Sequence, residues 1–327
     1  MGSVLILKDF QPSIFLRNRH FQTTLNSVGP RKVRANRLSL GLQSETIILK
    51  SPSGVRLISE LDLSGANCKR LVVLIHGWEG SSKSAYQISA AKTLLDNGFD
   101  VLRLNLRDHG DSHHLNKQMF NATRSDEVAD CIGFFLSTRS YEKVFIAGFS
   151  LGGNFALRIA ADHGSHRELT AVVAISPPVD DLNGLRVLNK GFFVYRRYFF
   201  RLWKSSLIRK ISIFPEYGIQ SKLRQARSID DINSILIPDF VPYMNPESYF
   251  SAYALTGDRL STIKVPSTII ASKDDPIVPT ADIIKICKNA RLSIEIQAFG
   301  GHCGFIDNVW GASWVERRLS VIFNSFL

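Results

Sequence analysis

The chain has 327 residues, of which 45% are hydrophobic and 21% are charged, and its formal net charge is +11. This composition is ordinary for a globular protein and excludes a disordered chain, a collagen-like fibre and a coiled coil. We expect one large domain with a sizeable buried core, because single α/β domains often reach about 250 residues or more.

The first predicted elements are two strands of a hairpin, residues 44–50 and 55–63, joined by a tight turn at 51–54. After this hairpin, apolar runs of strand length alternate with segments that have the 3.6-residue period of an amphipathic helix. The predicted strands are 71–75, 99–106, 144–149 and 171–176, and the predicted helices are 83–97, 125–138 and one that begins at Leu151.

The alternation stops between residues 179 and 260 and resumes after them. The later predicted elements are strands 267–272 and 293–299, a helix around 280–290 and a helix near 310–326. Strands that alternate with helices predict an α/β fold with a doubly wound, mostly parallel sheet. We place 179–260 over the carboxyl edge of this sheet as a helical cap insertion. The predicted organisation is an N-terminal extension that packs on the core (1–43), a core (44–178 and 261–327) and a cap or lid (179–260).

Much of the positive charge lies in one part of the predicted cap. Residues 186–227 contain eleven Lys or Arg and one acidic residue, Glu216, a local net charge of +10. The same segment also carries the bulky aromatic residues Phe192, Phe193, Tyr195, Tyr198, Phe199, Phe200, Trp203 and Phe214. Two interpretations stay open, a cap with inward aromatic side chains and solvated cations, or a segment that meets an anionic membrane surface. Nucleic acid is not expected as a partner, because no nucleic-acid motif accompanies the charge.

The four cysteines, Cys68, Cys131, Cys287 and Cys303, form no CxxC pair and have no metal-ligand spacing. We therefore expect free thiols and no metal site, and no phosphate- or dinucleotide-binding glycine motif suggests a cofactor. The first ten residues lack the features of a signal peptide, and no uncharged apolar run reaches about 18 residues. These features predict a cytoplasmic protein, with peripheral membrane contact and oligomeric state left open.

The segment 148–152, Gly-Phe-Ser-Leu-Gly, fits the pattern G-x-S-x-G directly after an apolar strand and directly before a helix. In that context the serine occupies a tight strand-to-helix turn, so that its hydroxyl projects into a cleft. The flanking glycines let neighbouring backbone pass without a clash with a Cβ atom. Ser150 is therefore the candidate nucleophile.

Two further residues complete a candidate triad. Asp275 follows the predicted strand 267–272 and His302 follows 293–299, so both belong at the carboxyl edge that carries Ser150. The chain order Ser, Asp, His is typical of a nucleophile on a strand-turn-helix. His302 would accept the Ser150 proton while Asp275 orients the imidazole. The neighbouring Asp274 is an alternative to Asp275, although we favour Asp275.

Acyl transfer also needs donors for the negative charge that develops on the carbonyl oxygen. The loop 76–80, His-Gly-Trp-Glu-Gly, follows the predicted strand 71–75, where such donors belong. The backbone N–H groups of Trp78 and Leu151 are the candidates for this oxyanion hole.

Four further histidines invite a catalytic or metal-binding role. We interpret His76 as a structural residue that braces the loop after its strand, rather than as a base. His109, His113 and His114 lie in one loop without a second cluster of ligands elsewhere, so we interpret them as solvated side chains.

Together these motifs resemble the α/β-hydrolase superfamily, and within it the YheT-like group of α/β-hydrolase-domain esterases. The resemblance covers most of the chain and rests on HGWEG, GFSLGGN, DDPIVP and GGHCGF, with NLRDHGDS at 105–112 and FLRNRHFQTT at 15–24. It implies the α/β-hydrolase fold, a catalytic triad of Ser150, Asp275 and His302, and oxyanion donors at Trp78 and Leu151. It also implies acyl esters or acylglycerols as substrates.

The predicted activity is that of a serine carboxylic-ester hydrolase, of carboxylesterase or lipase type, which forms an acyl-enzyme from short- to medium-chain acyl esters. The alternative is an enzyme that meets lipid through residues 186–227, namely an interfacial lipase, a phospholipase or an acyltransferase. A non-catalytic binding protein is a more distant one, because a fold does not guarantee its chemistry. The expected partner is a small-molecule or lipid ester.

Overall fold

The computed structural model describes residues 4–5, 10–65, 67–165, 168–237 and 239–327. Within these residues, nine strands form a single sheet. The strands are β1 (Val4–Leu5), β2 (Glu45–Lys50), β3 (Arg56–Asp62), β4 (Arg70–Ile75), β5 (Asp100–Leu104), β6 (Lys143–Phe149), β7 (Leu169–Ile175), β8 (Ser267–Ser272) and β9 (Leu292–Gln297). Their spatial order is β1-β9-β8-β7-β6-β4-β5-β3-β2.

The helices fall into three groups along the chain. Those between β1 and β2 are α1 (Arg19–Leu25) and α2 (Pro30–Ser39), and those that cover the sheet are α3 (Ala85–Asp96), α4 (Ser125–Ser137), α5 (Leu151–His163) and α11 (Trp314–Asn324). Those between β7 and β8 are α6 (Asp181–Lys190), α7 (Phe193–Ile213), α8 (Gln220–Gln225), α9 (Ile229–Leu236) and α10 (Pro246–Ser251). Short 3-10 helices cover Ile14–Leu16, Pro215–Tyr217 and Thr280–Lys285.

The sheet is doubly wound and mostly parallel, as predicted. All neighbours from β1 across to β5 pair in parallel, whereas β3 is antiparallel to both β5 and β2. The predicted hairpin of β2 and β3 is confirmed, and its turn closes with the N–H of Gly54 donating to the carbonyl of Ser51 at 3.0 Å.

The central strand β4 shows why the sheet needs helices on both faces. Leu71, Val73 and Ile75 are buried in a core cluster that also contains residues of α4 and α5. Val72 and Leu74 are buried in a second cluster that contains residues of α3 and α11. Because successive side chains of a strand point to opposite faces, a continuous apolar run is stable only where both faces are covered.

The long helix α7 is attached to the core by a buried cation. The Nζ of Lys210 donates to Asp108 Oδ1 at 2.7 Å and to the carbonyl of His113 at 3.1 Å. Burying a charge is unfavourable unless it is paired and hydrogen-bonded, so these contacts hold α7 against the loop after β5. The division into an N-terminal extension, a core and a cap stays a prediction.

Two predicted helices differ from the observed ones. Residues 280–290 form only the 3-10 helix Thr280–Lys285, because the backbone at its end pairs with Gly257. The N–H of Gly257 donates to the carbonyl of Lys285 at 2.9 Å, and the N–H of Cys287 donates to the carbonyl of Gly257 at 3.0 Å. The C-terminal helix begins at Trp314 rather than near 310, since Gly311 has a φ of +80° in the preceding turn.

The aromatic side chains of residues 186–227 are divided between two environments. Tyr195 is buried, and Phe199 stacks on Trp78 with ring centroids 5.2 Å apart. Phe192 and Phe193 are exposed instead, and Phe193 keeps 59% of its surface accessible. The interpretation in which all these rings face inward is therefore wrong for the start of α7.

Candidate active site

Ser150 occupies the sharp turn between β6 and α5. Its φ is 51° and its ψ is −120°, a conformation that L-residues rarely adopt and that is typical of a strained functional position. A Cβ atom at Gly148 would lie 2.0 Å from the carbonyl oxygen of Gly152, and one at Gly152 would lie 2.3 Å from that of Ile75. Both positions therefore require glycine, and the turn packs directly against the end of β4.

The structure brings Ser150, His302 and Asp275 together. The Oγ of Ser150 lies 2.8 Å from His302 Nε2, and Nδ1 of the same ring lies 2.9 Å from Asp275 Oδ2. The other oxygen of Asp275 accepts the backbone N–H groups of Ile277 at 2.8 Å and Val278 at 2.9 Å. These bonds fix the rotation of the carboxylate, so that one oxygen is directed at the imidazole.

Asp274 has a different place from Asp275. Its Oδ1 accepts the backbone N–H of Gly301 at 2.9 Å, and its Oδ2 is buried without a partner in the described residues. Burial raises the pKa of this carboxyl above its ordinary value. Asp274 thus supports the backbone beside His302 but does not contact the imidazole.

The protonation of His302 is controlled by two opposing effects. Burial lowers the pKa of its imidazole, but the Asp275 carboxylate outweighs burial and raises the pKa well above the ordinary value of 6.5. A carboxylate within hydrogen-bond distance stabilises the charged form of the ring. His302 is thereby a stronger base than a free histidine and can hold a proton taken from Ser150.

The two candidate oxyanion donors lie on opposite sides of Ser150 in the chain. Within the described residues, neither Trp78 nor Leu151 uses its backbone N–H for a hydrogen bond. Leu151 is the first residue of α5, where N–H groups are free and the helix dipole favours negative charge. A Cβ at Gly77 would lie 3.2 Å from Ser150 Cβ, so the Trp78 loop also passes close to Ser150.

His76 lies inside the fold behind this loop. Its Nδ1 is 2.7 Å from the carbonyl of Gly77, and its Nε2 accepts the N–H of Leu106 at 3.0 Å. Burial and the nearby His109 lower the pKa of His76 to about 3, so the ring stays neutral. These contacts fit the predicted bracing role.

The interpretation of the later histidines as solvated side chains is wrong for two of the three. His109 and His113 are buried, and only His114 is exposed. His109 contacts the carbonyl of Arg107 in its own loop and packs against the rings of His76 and Phe120, whereas His113 contacts Ser206 Oγ of α7. Among the described residues, no group of three or more His, Cys, Asp or Glu could hold a metal ion. All four cysteines are free thiols.

Two cavities meet at Ser150. The first is about 160 Å³ in volume and has mostly apolar walls, which come from both the core and helices α6, α7 and α9. The second is about 310 Å³, more polar, and is lined by His302 and by the loop around Glu79. Trp78 and Phe199 also line both cavities. Ser150 is thus accessible from an apolar side and a polar side.

Sequence reasoning about the site did not identify two residues of α1. Thr23 Oγ1 accepts the backbone N–H of His302 at 2.9 Å. Gln22 is fully buried, donates to the carbonyls of Leu16 at 2.8 Å and Ile306 at 3.1 Å, and accepts the N–H of Ile306. Both residues hold the loop that carries His302. The N-terminal segment FLRNRHFQTT was the available signal, since it contains both of them.

The family model for the alpha/beta hydrolase fold matches residues 70–309. The chain therefore belongs to the α/β-hydrolase fold family, and within that family it groups with the YheT-like proteins. The predicted fold class and the predicted hydrolase enzyme class are confirmed.

Individual relatives are distant in sequence but match over most of the chain. The putative esterase YheT of Escherichia coli is 23% identical over 98% of this chain and 94% of its own length. The medium-chain fatty acid ethyl ester synthase/esterase 2 of Saccharomyces cerevisiae is 23% identical, over 87% of this chain and 67% of its own. An esterase structure from Pyrococcus furiosus superposes with a TM-score of 0.60 at 16% identity, covering 88% of this chain and 92% of that one, which shows a shared fold.

None of the helices in the described ranges is both long enough and apolar enough to cross a membrane.

Proposed function

We propose that this protein is a serine carboxylic-ester hydrolase that cleaves short- to medium-chain acyl esters through an acyl-enzyme. The observation that carries the proposal is the hydrogen-bonded series Ser150–His302–Asp275, in which the Ser150 hydroxyl faces both cavities. A neutral serine is a weak nucleophile and needs an adjacent base, which His302 supplies in this arrangement.

The reaction begins when Ser150 Oγ forms a bond to the ester carbonyl carbon and its proton moves to His302 Nε2. The carbonyl oxygen becomes an oxyanion that accepts hydrogen bonds from the N–H groups of Trp78 and Leu151. When the tetrahedral intermediate collapses, the bond to the alcohol oxygen breaks and His302 returns the proton to that oxygen. Water then attacks the acyl-enzyme by the same path and releases the acid.

The apolar cavity is the proposed site for the acyl chain. Its volume of about 160 Å³ and its apolar walls suit a hydrocarbon chain, whose burial contributes roughly 0.8 kcal/mol per CH₂. The name of the yeast relative, a medium-chain ethyl ester synthase/esterase, supports this chain length. That name also keeps transfer of the acyl group to an alcohol, rather than to water, as a variant of the same mechanism.

A p-nitrophenyl ester series from acetate to palmitate, assayed with the wild type and Ser150→Ala, tests this function. A fluorophosphonate label mapped by mass spectrometry identifies the nucleophile. We expect labelling at Ser150, a preference for short or medium chains, and loss of turnover in the variant. Absence of both label and turnover would refute the proposal and favour a binding protein.

A second candidate, an interfacial lipase, is favoured by one exposed surface. Phe192 and Phe193 at the start of α7 are exposed beside the exposed cations Arg196 and Arg197. The ring of His20 lies 5.1 Å from that of Phe192, so α1 continues this surface. Exposed aromatic rings with adjacent cations can insert into an anionic lipid interface.

Sedimentation with phosphatidylserine-containing vesicles tests the second candidate. Binding at low salt that weakens at high salt, and that is lost in Phe192→Ser/Phe193→Ser, is expected of an interfacial enzyme. Val321→Ser, at an exposed apolar position on α11, is the matched control. A wild type that does not bind at low salt would exclude this candidate. The cytoplasmic location stays a prediction.

A further inference from the structure

Glu79 has an unusual position for a carboxyl group. It follows Trp78, its side chain is only 9% exposed, and it lines the polar cavity together with Ser150 and His302. Its φ is 55°, in the left-handed region that a residue other than glycine occupies only at a cost of about 1–3 kcal/mol. The backbone therefore holds this side chain at the cavity despite an unfavourable conformation.

The Glu79 carboxyl has no hydrogen-bond partner among the described residues. Within the described residues it takes part in no hydrogen bond, and the group that faces it is His109 Nε2 at 4.0 Å from Oε1. That nitrogen is itself buried without a partner. Because Nδ1–H of His109 donates to the carbonyl of Arg107 at 2.7 Å, Nε2 carries a lone pair and cannot donate to the carboxyl.

These surroundings favour the neutral form of Glu79. Burial, with a further contribution from Asp108, raises the pKa of the Glu79 carboxyl to about 8. The lone pair on His109 Nε2 also disfavours a negative charge opposite it. A neutral carboxyl can both donate and accept a hydrogen bond, so its natural partner is a hydroxyl group rather than a cation.

The position of His302 decides which part of an ester would meet Glu79. In ester cleavage the alcohol oxygen receives its proton from the imidazole, so the alcohol part must lie on the side of His302. Of the two cavities at Ser150, only the polar one has His302 in its described wall. The alcohol part therefore extends toward Glu79, and the acyl chain extends the other way.

We propose that Glu79 is a specificity-determining residue that forms a hydrogen bond with a free hydroxyl of the alcohol part, so that monoesters of polyhydric alcohols are preferred substrates. The inference rests on the proposed ester hydrolysis. In this proposal the Glu79 carboxyl alone selects the alcohol part. It forms its hydrogen bond only when a substrate hydroxyl occupies the polar cavity. A buried polar group that a substrate leaves unpaired penalises that substrate.

The test compares two esters with the same acyl chain and the same three-carbon alcohol skeleton, glycerol monobutyrate and propyl butyrate. For the wild type we expect kcat/KM to be about tenfold or more higher for the glycerol ester, since one hydrogen bond contributes roughly that factor. Glu79→Leu should reduce the ratio to within about twofold, whereas Glu79→Gln should retain most of it. Glu45→Leu, at an exposed carboxyl on β2, is the control for the substitution itself.

The outcomes separate this inference from the proposed function. A wild-type ratio near one, with propyl butyrate turnover that depends on Ser150, would overturn the role of Glu79 and leave ester hydrolysis intact. This result needs no variant at position 79, so it holds even if Glu79→Leu does not fold. The wild type could instead prefer butyrylcholine over its uncharged isostere and lose this preference in Glu79→Leu. That result would show that Glu79 selects a cation, and it would also overturn the inference. No turnover of any ester would instead refute the proposed function.

Discussion

Replacing each of the two adjacent carboxylates by its amide is expected to have very different effects. In Asp275→Asn, the side-chain oxygen stays with the N–H groups of Ile277 and Val278, because these two donors need an acceptor. The new NH₂ group then faces His302 Nδ1, in the place of the oxygen now 2.9 Å away. Since NH₂ can only donate, Nδ1 must accept, and the imidazole proton moves to Nε2. The ring then cannot take the proton of Ser150.

The magnitude follows from this change of tautomer. Loss of the correct tautomer in such a triad lowers kcat by about 10⁴-fold, or roughly 5 kcal/mol of transition-state stabilisation. Asp274→Asn keeps its oxygen on the N–H of Gly301, and its other atom already lacks a partner in the described residues. We expect that variant to lose less than about tenfold in kcat, because burial already favours a neutral group at this position.

The assay is hydrolysis of p-nitrophenyl butyrate at neutral pH, with thermal unfolding of each variant to verify folding. Asp274→Asn is the matched control, since it removes the same charge from the neighbouring residue. The reasoning would be refuted if folded Asp275→Asn kept its activity within tenfold of the wild type. It would equally be refuted if both variants lost activity to the same extent.

Three further outcomes are expected. The kcat/KM profile should decrease toward acid pH with a midpoint above 6.5, because only the neutral form of His302 accepts the Ser150 proton. Burial lowers the pKa of His302, but Asp275 outweighs burial and raises it. A midpoint below 6.5 would contradict this reasoning. Gln22→Leu removes three buried hydrogen bonds to Leu16 and Ile306. The free energy of unfolding, measured in urea, should therefore decrease by about 3 kcal/mol. A decrease under about 1 kcal/mol would mean that α1 does not hold the His302 loop. Gly184 lies at the wall of the apolar cavity, where a Cβ atom would meet no other atom within 4 Å, so Gly184→Leu adds a side chain there. The kcat/KM for the octanoate ester should decrease about tenfold relative to that for the acetate ester. An unchanged chain-length profile would place the acyl chain elsewhere.

The order of the elements and the tight turn at Ser150 could be predicted because they depend on short segments of chain. The apolar run of β4 predicts a strand covered on both faces, and two core clusters cover it. The segment 148–152 predicts a tight turn with close backbone approach, and the observed φ of Ser150 and the contacts of its glycines agree.

Other features depend on residues far apart in the chain, and only the tertiary structure decided them. Asp274 and Asp275 have the same chemistry and adjacent positions, and contacts with Gly301 and His302 distinguish them. The predicted helix at 280–290 ends at Lys285 because Gly257 binds the backbone there.

The surroundings of Glu79 and His109 illustrate the same limit. The spacing of apolar residues within a segment determines whether it forms a strand or a helix, because those side chains must leave water on one face. It does not determine which other segments cover a polar side chain, and His109 is buried against the rings of His76, from the loop after β4, and Phe120, from the segment before α4. The sequence thus determined the sheet, the turn at Ser150 and the order of the candidate triad. The choice of carboxylate, the bracing by α1 and the polar cavity at Glu79 were decided by tertiary packing, because each depends on which distant groups meet.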